Sequence, residues 1–231
     1  MMQLAEQPFN CTHCGKAFMK EKTLFAHMCE PKRRFMQKDE KRVQAGFFAF
    51  NRFYRITQNA KKDKTYEDFC KSAYYNAFVK FGSFVNNVAP IYPDKFIDFV
   101  IKSGVKLDHW CRDELYETYL YEMIKMEPVE AAVQRSLSTM MEWAEEHNSS
   151  FNHYFLYANL NRIVQHIKDG KISPWIILNC KSGQEMLKSL NEEQIEMIAT
   201  AIDFPYWVKR IKTCKSDADV VKEVCSGAGI E

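Results

Sequence analysis

The spacing Cys11-x2-Cys14-x12-His27-x-Cys29 constrains the first thirty residues more tightly than any other feature constrains the rest of the chain. Two cysteines separated by two residues form a knuckle that turns both thiols toward one point. A histidine twelve residues later returns from a following helix to meet them, and a third cysteine completes four donors. Three thiolates and one imidazole form a sound tetrahedral set for Zn2+. The intervening residues fit the same reading. Phe18 and Leu24 fall where a ββα unit keeps its small core, and Gly15 permits the turn after the second ligand.

From Phe9 through His27 the chain resembles the C2H2 zinc-finger family, with Cys14-Gly-Lys-x-Phe18-x5-Leu24-x2-His27 in place. The resemblance implies a ββα finger around a structural zinc ion. The departure from the family is at the fourth ligand, which there follows the first histidine by three to five residues. Cys29 follows His27 after only one, and positions i and i+2 do not share a helix face. The helix must therefore unwind at or just after His27. Pro31, which disfavours helix at Glu30, is read as supporting that early end. His13 is a fallback ligand, subordinate to Cys29 because its neighbour Cys14 already points inward.

The family's base-contact positions carry over to Lys20, Thr23 and Ala26, with Lys22 beside them. Ala26 offers at most a methyl contact, and one finger covers only about 3 base pairs. Contact with the phosphate backbone is therefore expected in place of sequence reading. The residues that follow reinforce it. Lys32, Arg33, Arg34, Lys38, Lys41 and Arg42 come in quick succession, and Arg34, Lys38, Lys41 and Arg42 have the i, i+4, i+7, i+8 spacing of one helix face. Residues 1–64 carry 14 Lys+Arg against 6 Asp+Glu, a net of +8. The remainder is then left at −6 of an overall +2, so a polyanion would meet the head and not the body. Phe47, Phe48, Phe50, Phe53 and Tyr54 follow at helical spacing. Core packing is the better reading for most of them, and stacking on single strands the other.

Beyond the finger the pattern is helical throughout. A helix from Arg34 to about Gln58 is expected, then one from Tyr66 to Phe81, capped by Thr65 with Asp68 and closed by Gly82. Pro93, Pro128, Ser173-Pro174 and Pro205 open later helices, and Asp108, Ser182, Asn191 and Asp217 read as caps. With 8 Gly and 7 Pro in 231 residues, long linkers are not expected. The fold class is mainly α, an N-terminal ββα finger (1–31), a basic connecting helix (32–64) and an all-α domain (65–231) of roughly eight to ten helices by these cap signals. The remaining cysteines (Cys70, Cys111, Cys180, Cys214, Cys225) are dispersed and read as thiols within helices, not a disulfide framework.

No P-loop, GxGxxG, GxSxG or HExxH occurs, and His109-x-Cys111 has no accompanying C-x-x-C. The acidic run Asp113, Glu114, Glu117 and Glu122 reads as helix surface. A non-enzymatic protein with no small-molecule substrate is expected. No apolar stretch of about 18 residues spans a membrane. Residues 1–7 have neither a basic nor an apolar signal region, so an intracellular location is expected, with virion association as a further possibility.

Three segments carry a second resemblance: Cys29-Glu-Pro-Lys-Arg-Arg34, Tyr75-Asn-Ala-Phe-Val-Lys-Phe-Gly82 and Ile172-Ser-Pro-Trp-Ile-Ile-Leu-Asn179. Together with the finger they are similar to zinc-finger proteins of large tailed bacteriophages. That resemblance brings no activity with it. The finger, the basic run and the acidic body lead to the expected function, an accessory protein that binds nucleic acid, DNA in preference to RNA, and a protein partner through its helical body. The other function expected from these residues is a protein–protein adaptor or virion component whose finger is purely structural.

Overall fold

A computed structural model describes residues 8–230. Residues 1–7, on which the non-secretory expectation rests, lie outside the described residues. The architecture is mainly α with one two-stranded sheet, as the helical periodicity requires. The chain divides between Arg112 and Asp113 into two compact units.

The first unit opens with β1 (Phe9–Asn10) and β2 (Ala17–Phe18), paired antiparallel with Phe9 opposite Phe18. It continues through α1 (Glu21–Ala26), α2 (Glu30–Met36), α3 (Lys41–Gln58), α4 (Tyr66–Lys71), α5 (Tyr75–Val88) and α6 (Pro93–Lys102), and a 3-10 turn at Leu107–His109. The single helix expected from Arg34 is thus two. α2 begins at Glu30 and ends at Met36, and α3 starts after Glu40, which has extended backbone. Pro31 does not prevent helix at Glu30. It sits in the first turn of α2, where its missing N–H costs nothing.

α3 crosses α5 closely, and Gly82 is the reason. It lies inside α5, not at its end, and a Cβ there would meet the Arg42 backbone and stand 2.6 Å from the Gly46 nitrogen. Gly46 answers it from α3, where a Cβ would be 2.7 Å from the Phe78 carbonyl oxygen. The absent side chains let two backbones touch, so the glycine marks a crossing, not a stop. Around it Phe50, Phe69, Phe78, Phe81 and Trp110 are buried and meet as edge-on and tilted ring pairs. The Thr65–Asp68 capping box forms as expected.

The second unit comprises α7 (Asp113–Met126), α8 (Val129–His147), a 3-10 turn at Phe151–His153, α9 (Tyr154–Tyr157), α10 (Leu160–Lys168), α11 (Pro174–Asn179), α12 (Lys181–Lys188), α13 (Glu192–Ile198), α14 (Phe204–Thr213) and α15 (Lys215–Gly227). The apolar run Trp175, Ile176, Ile177 makes α11 hydrophobic all round, and it is accordingly buried, packed by α8, α12 and α15. Ser173 caps it as expected, and Asn191 caps α13 with Gln194. Three other expected caps are not caps. Asp108 lies in a 3-10 turn, while Ser182 and Asp217 sit in the first turn of helices whose N-cap positions are Cys180 and Cys214. Among the described residues, 65–231 hold twelve α-helices, α4 to α15, more than the eight to ten expected; Cys180 and Cys214 each separate two neighbours without Gly or Pro to announce the break. All eight cysteines are free, and Cys70, Cys180 and Cys225 are buried as small hydrophobes.

Candidate metal centre

The strand pair and α1 bring four donors together. The Cys11 N–H donates to the Lys16 carbonyl (2.9 Å) and the Gly15 N–H to the Cys11 carbonyl (2.8 Å), closing the knuckle. Gly15 takes φ +72°, a conformation that a side chain would disfavour. α1 ends at Ala26, and His27 adopts extended backbone (φ −70°, ψ 122°). The expected unwinding is therefore where the short His27–Cys29 spacing demands it. Cys29 is also extended (φ −85°, ψ 162°) and swings its thiol back beneath the knuckle.

The Cys11 Sγ lies 3.9 Å from Cys29 Sγ, and the Cys14 Sγ lies 3.3 Å from His27 Nε2. All four ligand atoms are within 4.8 Å of one another. Zinc–sulfur bonds of about 2.3 Å and a zinc–nitrogen bond of about 2.0–2.1 Å require tetrahedral edges of roughly 3.8 Å (S···S) and 3.6 Å (S···N). The donors already stand close to those separations, so the cluster fits a tetrahedral metal ion and is compatible with zinc. Burial raises the Cys11 thiol, but the N–H donors of Cys14 and His13 together with the Cys14 and Cys29 thiols leave it below its ordinary value. Phe18 packs on the His27 ring at 4.8 Å between centroids, holding the imidazole in place. His13 is not in the cluster. Its ring meets Phe35 at 5.1 Å instead. Among the described residues no second group of three or more His, Cys, Asp or Glu is placed to hold a metal.

Comparison of the chain with protein-family models, with curated proteins and with solved structures finds no match in any of the three.

The basic residues separate into two kinds. Lys20 precedes α1 and Lys22 and Thr23 lie on it, all exposed, and Lys41 is exposed at the start of α3. Among the described residues none of those three lysines has a carboxylate within ion-pair distance. The others have partners. Lys32 donates to the His27 carbonyl (3.1 Å), Arg33 pairs with Glu30 (2.6 Å), Arg42 with Glu40 (2.7 Å), and Lys38 stands over the Phe35 ring at 5.6 Å. Because α2 stops at Met36 and α3 starts at Lys41, Arg34, Lys38, Lys41 and Arg42 do not form one helix face. The polar run Gln37-Lys-Asp-Glu40, acidic just ahead of the next helix, was the one available sign of that break.

Arg34 is used within the fold. Its side chain is 15% exposed, and its Nη1 donates to the carbonyls of Cys70 (2.8 Å) and Ser72 (3.3 Å) where α4 ends. The guanidinium lies 4.5 Å over the Tyr75 ring, while Nε reaches Glu30 (3.1 Å). Tyr66 returns a hydrogen bond to the Arg34 carbonyl (2.7 Å). A run of rings continues the junction, from His13 to Phe35, Phe35 to Tyr66 (6.2 Å) and Tyr66 to Phe47 (5.4 Å). The finger is thereby attached through α2 to α4 and the aromatic core. Of the Phe-rich stretch, Phe50 is buried and Phe53 packs on Phe78 and Trp110, but Phe48 stays exposed.

Proposed function

We propose that this is a non-enzymatic zinc-finger accessory protein, in which Cys11, Cys14, His27 and Cys29 hold a structural zinc ion. The finger presents lysines to a nucleic-acid backbone without reading sequence, and the helical body engages a protein partner. The observation that carries the nucleic-acid reading is the set of exposed lysines without an ion-pair partner, Lys20 and Lys22 on the segment the metal would order and Lys41 at the start of α3. Unpaired surface ammonium groups can neutralise phosphates without first giving up an internal partner. DNA is the favoured polyanion. The process we propose for it is phage replication, recombination or transcription. The body's partner and an intracellular setting follow from the same reading. Among the described residues no helix is long and apolar enough to cross a membrane.

Salt titration of the affinity for a mixed-sequence DNA oligonucleotide tests this reading. Each phosphate contact contributes a slope of about −0.7 to −0.9 in log K against log salt. Changing Lys20, Lys22 and Lys41 together to Ala should flatten the slope by about 2–3 units. A salt-independent affinity, or one indifferent to the triple change, contradicts the reading.

A second reading has its own observation. Phe25 on α1 is 87% exposed, and Met19 and Met28 flank it in the open. An apolar surface of that kind suits an adaptor or virion component whose finger is structural only. In that case a Cys14→Ser variant loses a protein partner, and no oligonucleotide affinity exists to lose.

A further inference from the structure

The first unit has a cleft of about 560 Å³ between α3, the break before it and the start of α4. The volume is that of a small-ligand site. Phe47, Phe48 and Tyr66 line it, together with Gln44, Arg52 and Arg55. These residues fall into three chemical groups. Phe48 is 39% exposed, and among the described residues no other ring packs against it, so one aromatic face is open to the cleft. The Gln44 amide makes no hydrogen bond among the described residues and is free to donate and accept. Arg55 and Arg52 each close the Nε–Nη2 edge of the guanidinium on a carboxylate, Asp63 for Arg55 (2.7 and 2.8 Å) and Asp98 for Arg52. In both, Nη1 has no hydrogen-bond partner among the described residues and remains available to an oxygen acceptor.

We propose that this cleft takes an unpaired base of a single-stranded nucleic acid. The base stacks on Phe48, the Gln44 amide meets the base edge, and the free Nη1 groups of Arg52 and Arg55 meet the adjoining phosphate. The proposal rests on the nucleic-acid reading above and narrows it to single strands. In a duplex the base faces are covered by their neighbours, whereas a splayed strand offers each base to an aromatic side chain. A purely electrostatic site would need no open ring and no free amide. The pairing of both arginines also fits, because a guanidinium held by a carboxylate is fixed in position and still keeps one amino group outward. Asp39 and Asp63 also line the cleft; Asp63 is closed on Arg55, and the Asp39 carboxylate is an acceptor for a base amino group.

The test is fluorescence anisotropy of the zinc-loaded full chain with a labelled, mixed-sequence DNA strand of about 12 nucleotides and with an abasic strand of equal length and charge. The base-bearing strand should bind about 5- to 100-fold more tightly than the abasic one. Phe48→Ala should bring the two to near equality, and Phe48→Tyr should keep the preference. Phe48 is part-exposed, so Phe48→Ala should fold, and Gln44→Ala at an exposed position gives a second variant that should weaken the base-bearing strand alone. Equal, salt-dependent binding of both strands overturns the cleft and leaves the nucleic-acid reading standing. Absence of binding to either strand overturns both.

Discussion

A Cys14→Ser variant is expected to bind zinc about 100- to 1,000-fold more weakly than the parent chain. Structural zinc in small fingers is worth roughly 10–16 kcal/mol of apparent binding free energy near neutral pH, so one of four ligands accounts for about 2.5–4 kcal/mol. Serine cannot replace a thiolate, and the remaining cluster has little else to hold it. α1 has no buried residue and no side-chain cap, and the sheet is two residues long. The loss should stay local. The first unit keeps its own core of Phe50, Phe69, Phe78, Phe81 and Trp110, none of which contacts the cluster through a ring or hydrogen bond. Zinc affinity measured by competition with a chromophoric chelator gives the first number. Hydrogen exchange gives the second, with protection lost over residues 9–29 and retained in α3 and α5. Unchanged affinity, or unfolding of the whole unit, would contradict this account.

Arg34→Ala is expected to destabilise the first unit by about 2–4 kcal/mol, the largest effect of any single basic residue in the head. The change removes charge-assisted hydrogen bonds worth about 1.5–3 kcal/mol each and a cation–π contact of about 0.5–2 kcal/mol, offset in part by water reaching the freed carbonyls. Arg34→Lys should recover less than half, because an ammonium group cannot span Cys70, Ser72 and Glu30 together as the planar guanidinium does. The denaturant midpoint of the first unit gives the stability. The oligonucleotide salt slope gives the discriminating result, since an arginine committed to the fold leaves it unchanged. A stable variant with a flattened slope would make Arg34 a phosphate contact after all.

The contrast between Cys29 and Arg34 shows what the sequence contained. The four-donor cluster was legible because its geometry is set by covalent spacing over nineteen residues. Even the extended backbone at His27 follows from i, i+2 positions failing to share a helix face. Arg34 was not legible as a structural residue. Its acceptors are 36 and 38 residues away, and a run of cations in sequence does not distinguish the one that turns inward. Gly82 failed for a related reason. A glycine after a helical run usually ends it, and only the approach of α3 shows that the missing side chain serves a crossing. The helical class, the caps at Thr65, Ser173 and Asn191 and the metal knuckle are local features and were readable. The break at residues 37–40 and the cleft beside it depend on how separate helices meet.

X-ray absorption at the zinc edge of the purified, full chain tests the central claim most directly. The account predicts one zinc per chain, with three sulfurs at about 2.3 Å and one nitrogen at about 2.0–2.1 Å, and a change to two sulfurs in any species that Cys29→Ala still loads. Two sulfurs and two nitrogens in the parent chain, which would bring His13 in for Cys29, or a chain that takes up no zinc at neutral pH, would contradict it.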